Sequence, residues 1–382
     1  MKSTAFGRAA ARMILVIAGL VPVRLAAQVT PPDLPVGQND LVRVVDHADE
    51  GLLEIVVGPV ELPVGGPHIR PPLQLASLPI EGWLHEFDWQ MRDGDGNPLP
   101  DRLLHHWNFV NPDRRELFSP VPLRVLAAGR ETQKQWVPKL VGMPIEQGTR
   151  LLVISMFANP TDTPYDEVYL HISLKYTTAD GARLKPMEVH PFYIDVMGPV
   201  GEKGFPLPPG RHGRSWEVTP AVDGRILGLS GHLHDYGEWV RFEDVTTGKV
   251  LWEATPEVNE AGEVTSVPTG NLLWRGGIRF YRDHVYRLSV EYLNPTDMPA
   301  PDGAMGALGG ILVIGDSEWP ELDRYDEGYA QDLRNMLEKP FEAHGHGAMD
   351  HEMGGGEMDG MKMDGVDDGE MEEHDTPESS RR

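Results

Sequence analysis

The sequence predicts an all-β protein built as two antiparallel β-sandwiches. Three observations carry that expectation. Helical signals are scarce, while 42 Gly and 34 Pro punctuate the 382 residues with turns. Short runs alternate apolar and polar residues, the two-residue period of a half-buried strand. A motif also recurs: NPTDTP at 159–164 returns as NPTDMP at 294–299.

Taken in order, the first 27 residues read as a secretory signal peptide. Lys2, Arg8 and Arg12 are basic, Met13–Val23 is apolar, and Leu25-Ala26-Ala27 offers a small-residue cleavage site. The apolar run is shorter than the ~20 residues that span a bilayer. The mature chain is therefore expected to be secreted or periplasmic, with no membrane span. Residues 28–50 form an N-terminal extension, 51–200 a first sandwich and 201–316 a second. The boundary is placed in GPVGEKG (198–204), followed by FPLPPG, a Gly- and Pro-rich linker composition.

The run DEVYLHISLKY (166–176) shows the strand pattern plainly. Val168, Leu170, Ile172, Leu174 and Tyr176 share one face; Tyr169, His171, Ser173 and Lys175 share the other. HVYRLSVEY (284–292) and ILGLSGHLH (226–234) read the same way. Residues 317–340 predict one helix, capped by Asp316 or Ser317 with Pro320 in its first turn, bracing the second sandwich. Residues 341–382 are acidic and rich in Met and His, and predict a disordered tail.

Composition narrows the function. The net charge of −25 argues against nucleic acid as a partner. With no cysteine there are no disulfides, Fe–S clusters, thiolate zinc sites or Cys-ligated copper. Any metal must be held by His, Met, Asp or Glu.

His232-Leu233-His234 places two imidazoles on one face of a strand, where they can converge on one ion. Met305 follows in the Gly-rich DGAMGALGG; a thioether suits Cu(I) and is a poor ligand for zinc or magnesium. Met298 is its rival. His105-His106 are adjacent, so both reach one ion only if the strand bulges or ends there, or if one ring binds through Nδ1. His171 is the third candidate by repeat position, with His85 as its substitute. His47, His68, His190, His212 and His284 read as structural.

This order of residues resembles the copper type II, ascorbate-dependent monooxygenases, which include peptidylglycine alpha-hydroxylating and dopamine beta-monooxygenases. It comprises His105-His106, His171, Pro208-Pro209-Gly210, His232-Leu233-His234 and Met305. The resemblance is remote and spans residues 80–316. It implies jelly-roll-like sandwiches carrying one copper each. His105, His106 and His171 would hold an electron-storing ion. His232, His234 and Met305 would hold a catalytic ion that meets dioxygen and the C–H bond of a small-molecule or peptide substrate. Ascorbate or another one-electron donor would supply electrons. The chain departs from that pattern in having no cysteine, and in its third histidine. The family's Tyr follows that His closely, whereas here Leu170-His171-Ile172 lacks the Tyr. Leu174-Lys175-Tyr176 keeps the Tyr but has Lys in place of His.

The tail points to the same metal. Residues 344–374 contain four His and six Met among Gly and acidic residues, a composition suited to copper capture. Two readings stay open: an exported copper monooxygenase, and a non-catalytic copper-binding or copper-buffering protein on the same scaffold. A sandwich adhesin or carbohydrate-binding module with incidental histidines is the third.

Overall fold

A computed structural model describes residues 30–34, 41–66, 68–300 and 303–338. The expected signal peptide and the Met/His-rich tail lie outside the described residues. The fold is all-β with one α-helix. No helix among the described residues is long and apolar enough to cross a membrane.

The first half supplies β1 (Val42–His47), β2 (Leu52–Leu62), β3 (Gln74–Ser77), β4 (Gly82–Arg92), β5 (Leu104–Arg115), β6 (Pro122–Gly129), β7 (Val141–Ile145), β8 (Arg150–Phe157) and β9 (Tyr165–Thr177). One sheet runs β1-β2-β9-β4-β7 and the other β3-β8-β5-β6. Alternation decides which side chains lie between them. Val168, Leu170 and Ile172 of β9 are fully buried, and Ile172 sits opposite Ile55 of β2 and Trp89 of β4. Trp107 and Phe109 of β5 meet them from the facing sheet in one core. The expected extension 28–50 is corrected here: β1 pairs along β2, and Val42 is part of the core. Val42 and Val44 supply the alternation that makes this segment an edge strand.

The second half supplies β10 (His190–Asp195), β11 (Gly210–Val218), β12 (Gly224–Leu233), β13 (Gly237–Asp244), β14 (Lys249–Ala254), β15 (Tyr286–Asn294) and β16 (Ala304–Ile314). Its sheets run β10-β16-β12 and β11-β15-β13-β14. Phe192, Ile194 and Val196 belong to this second core, so the unit begins by His190 rather than at 201. The alternation of Phe192 and Ile194 gives β10 an apolar face that fits only there, and the Gly-rich 198–203 is a loop within the second unit, leading into Gly204, which pairs with Met305 of β16.

The NPTD repeat is structural. Asn159 donates from Nδ2 to the Leu62 and Thr163 carbonyls, and its Oδ1 accepts from Thr161 N and Oγ1. Asn294 makes the same four bonds to Leu207, Met298 and Thr296. Each copy fastens the loop after a core strand of its own half to an earlier segment of that half.

The helix α1 spans Glu327–Glu338. Asp326 caps it, its Oδ1 accepting from Tyr329 N at 3.1 Å; residues 317–326 are not α-helical. It braces the first sandwich, not the second. Tyr329 and Leu333 pack on Val110 and Leu152, and Asp332 forms a buried ion pair with Arg124 of β6 at 2.7 Å. The outer face of β5 and β8 is apolar there and needs a cover.

A candidate metal centre between the two sandwiches

Two middle sheets, β3-β8-β5-β6 and β10-β16-β12, turn their outer faces toward a shared cavity of about 700 Å³. The strand period puts the histidines there. On β12, Leu233 enters the second core, so His232 and His234 face the cavity. On β5, Trp107 enters the first core and His106 and Asn108 face the cavity.

His105 reaches the same side through a bulge. Leu104 pairs with Phe157 but His106 pairs with Met156, so His105 is the extra residue. His68, read from the sequence as structural, joins the group. Ile69 and Phe157 exchange backbone hydrogen bonds at 2.9 Å, which pins the preceding residue beside the start of β5.

Five imidazoles are thus in ring contact. Centroids are separated by 4.5 Å for His68–His105, 4.8 Å for His105–His106, 5.1 Å for His105–His234 and 5.3 Å for His232–His234. The Nδ1 atoms of His105 and His106 and Nε2 of His232 are buried with no hydrogen-bond partner. Buried ring nitrogens are rarely left in that state.

The neighbouring groups orient these rings. Glu131 accepts from His232 Nδ1 at 2.6 Å, fixing a tautomer that leaves Nε2 as an acceptor. A turn after β6, with Thr132 N bonded to the Gly129 carbonyl at 3.0 Å, folds Glu131 back over Gly129. A Cβ on Gly129 would lie 2.3 Å from Glu131 Oε2, so a larger residue there would push this carboxylate out of its present position. Arg130 grips Asp235, the residue after His234, with two contacts of 2.7 Å. Both links run from one sandwich to the other.

Met305 shares its strand face with Ala307, which sits opposite His232, and lines the cavity. The buried Tyr292 hydroxyl fastens the two segments together. It accepts from His234 N at 3.0 Å and donates to the Met305 carbonyl. Met298 is exposed and its carbonyl serves the NPTD turn.

Electrostatics sort the rings. Burial pushes His106 down to about 3, assisted by His232 and His234. Burial, with the surrounding imidazoles, holds His105 well below the usual histidine range. Burial also opposes charge on His232, but the Glu131 carboxylate outweighs it and raises this ring. His105 and His106 are therefore neutral at pH 7, the form in which imidazole binds a metal.

The expected first triad is not brought together. His171 lies on the outward face of β9 and bonds Glu54 at 2.8 Å; Lys175, in the alternative register, pairs with Glu86 at 3.0 Å. The face opposite the aliphatic stripe points away from the cavity. His85 lines the cavity, with Nδ1 bonded to the Val141 carbonyl at 2.8 Å and Nε2 buried and unpaired, but it stands outside the chain of ring contacts. His190 packs in a tilted contact against Trp319 and His284 bonds Asp244, roles confined to packing and local bonding. Among the described residues, no group of three or more His or carboxylate side chains is set to hold an ion as the side chains stand. The donor chemistry nonetheless fits a metal: unsatisfied neutral nitrogens, a carboxylate orienting one of them, and a thioether on the same face.

No family model matches the chain, and no curated protein matches it. Distant similarities exist among solved structures. PNGase F, a glycosylasparaginase from Flavobacterium meningosepticum, has a TM-score of 0.34 and 10% identity over 71% of this chain and 98% of that one. PNGF-II in two crystal forms gives TM-scores of 0.33 and 0.32, at 9% and 11% identity. Those alignments cover 77% and 76% of this chain and 65% and 64% of PNGF-II. Likenesses this distant carry no argument about function.

Proposed function

We propose that the protein is an exported copper-binding oxidoreductase. Its metal would be held by His105, His106, His232 and His234, with Met305. The observation that carries this reading is the burial of unpaired nitrogens of His105, His106 and His232, drawn from both sandwiches, beside a cavity of about 700 Å³. A volume of that order suits a small molecule or the end of a peptide. Imidazole with a thioether, and no cysteine, selects copper over zinc or magnesium.

Copper bound there would supply one-electron redox chemistry and an open position for dioxygen, hydroxylating a C–H bond at the expense of ascorbate or a similar donor. The chain's own contribution is positional. Glu131 orients His232, Tyr292 sets the spacing of the His234 and Met305 backbones, and packing buries the metal-facing nitrogens of His105, His106 and His232 while the rings stay partly exposed to the cavity. The second reading is a copper-binding or copper-buffering protein without turnover. It draws on the position of His171, which leaves the family's electron-storing triad incomplete.

The test uses the full chain and a His105→Ala/His232→Ala variant carrying the same tail. Copper per chain after dialysis is measured, then oxygen consumption with ascorbate and candidate substrates. Excess copper in the wild type with substrate-dependent oxygen uptake supports the oxidoreductase. Excess copper with no uptake across the substrates selects the second reading. Equal copper in both proteins contradicts both.

A further inference from the structure

We infer that the cavity takes an uncharged, apolar ligand, admitted past Trp136 and Trp274, and that a free peptide terminus is not its occupant. This deepens the reading of the cavity as a substrate site and rests on it, but does not depend on which metal the histidines hold. Both tryptophans line the cavity, yet they are 65% and 77% exposed, so they stand where it meets solvent. They come from opposite halves of the chain. Trp136 pairs with Glu86 of β4, and Val137 N bonds the His85 carbonyl at 2.7 Å. Trp274 sits in a single 3₁₀ turn, Leu273–Arg275, closed by Gly277 N on the Leu272 carbonyl at 3.1 Å. The backbone thus holds two large apolar rings in water at the edge of one cavity, an arrangement that marks a binding site.

The walls behind them are apolar. Leu126 and Val137 line the cavity from the first half, and Leu229, Leu273 and Ile311 from the second. The charged side chains among the lining residues have other commitments. Arg124 pairs with Asp332 at 2.7 Å, Glu131 with His232 at 2.6 Å, and Glu86 with Lys134 and Lys175 at 2.6 and 3.0 Å. Arg70 donates to the Met336 carbonyl at 2.9 Å and Lys203 to the Gly198 carbonyl at 2.8 Å, with Asp195 opposing the Lys203 charge. Glu202 stands exposed to solvent. A carboxylate or ammonium entering the cavity would give up its water and would have to break one of these arrangements to find a partner. An apolar ring or chain loses no hydrogen bond on entry and gains by covering its own surface and that of the two tryptophans.

The experiment is equilibrium dialysis of the metal-free full chain at pH 7 against naphthalenes of one shape: neutral naphthalene-2-methanol, anionic 2-naphthoate and cationic 2-naphthylmethylammonium. The alcohol should bind at least about tenfold more tightly than either ion. Trp136→Ala and Trp274→Ala should each weaken its binding by about 3–10-fold. Trp216→Ala, which alters an exposed tryptophan of β11 outside the cavity lining, should leave it unchanged. Thermal unfolding within a few degrees of wild type establishes that the variants fold; Trp136→Phe and Trp274→Phe, which keep a smaller ring, replace any Ala variant that does not. An ion bound as tightly as the alcohol overturns the ligand class. Alcohol binding that is absent, or that survives both Ala substitutions, overturns the site. With no metal present these outcomes are separate from copper counts: a chain that fails here can still bind copper, and one that binds no copper can still pass.

Discussion

Replacing Glu131 with glutamine should weaken copper binding by about 10–100-fold, or about 1.4–2.7 kcal/mol. The magnitude follows from the site. The Glu131–His232 bond is 2.6 Å and the carboxylate is 6% exposed, so solvent screens it little. A hydrogen bond to a charged group contributes about 1.5–3 kcal/mol. Glutamine keeps the shape but removes the charge that makes the imidazole a stronger donor through Nε2. The assay is competition for Cu(I) against a chromogenic chelator, comparing Glu131→Gln with wild type. The metal-free variant should unfold within a few degrees of wild type, since the amide can still accept from Nδ1. Affinity unchanged within threefold would refute the claim that Glu131 orients a metal ligand. It would leave the pair as an ordinary buried ion pair.

Tyr292→Phe should cost about 1–3 kcal/mol in chemical denaturation, because His234 N and the Met305 carbonyl lose their buried partner. Asp332→Asn should destabilise by about 3–5 kcal/mol, since Arg124 would be left buried without its counter-charge; hydrogen exchange should show α1 opening first. Glu116 gives a pH signature. It is fully buried, accepts from Arg124 N at 2.7 Å, and burial raises it from an ordinary 4.5 to about 8. Between those values the folded state holds a proton that the unfolded chain has released, so stability should fall as pH rises from 4.5 to about 8. The loss is on the order of 5 kcal/mol, and Glu116→Gln should flatten that slope. An equal slope in the variant would place the pH dependence elsewhere.

The alternation of Val168, Leu170, Ile172 and Leu174 made the strands legible, because a two-residue period needs no knowledge of the partner strand. The paired histidines were legible for the same reason: Leu233 between two imidazoles fixes which way both rings face. Their convergence was not. Sequence spacing assigns His105-His106 and His232-His234 to different halves, and only the facing of two middle sheets brings them into contact. The place of His171 was misjudged because alternation separates two faces without saying what covers the second; here it is outward-facing surface. His68 carried no local signal, being placed by a single backbone bridge between Ile69 and Phe157. Glu131 could have been suspected only from the Gly129-Arg130-Glu131 turn and its partner Asp235 beside the HLH motif. The helix was read ten residues too early because Pro320 imitates a first turn, whereas Asp326 makes the cap.

The most direct measurement is anomalous diffraction at the copper edge from crystals of the loaded full-length protein. An anomalous peak is expected between the two sandwiches, within bonding reach of His105 Nδ1, His106 Nδ1 or His232 Nε2. Copper found only elsewhere, at His171 for instance, or no ordered copper at all, would contradict it.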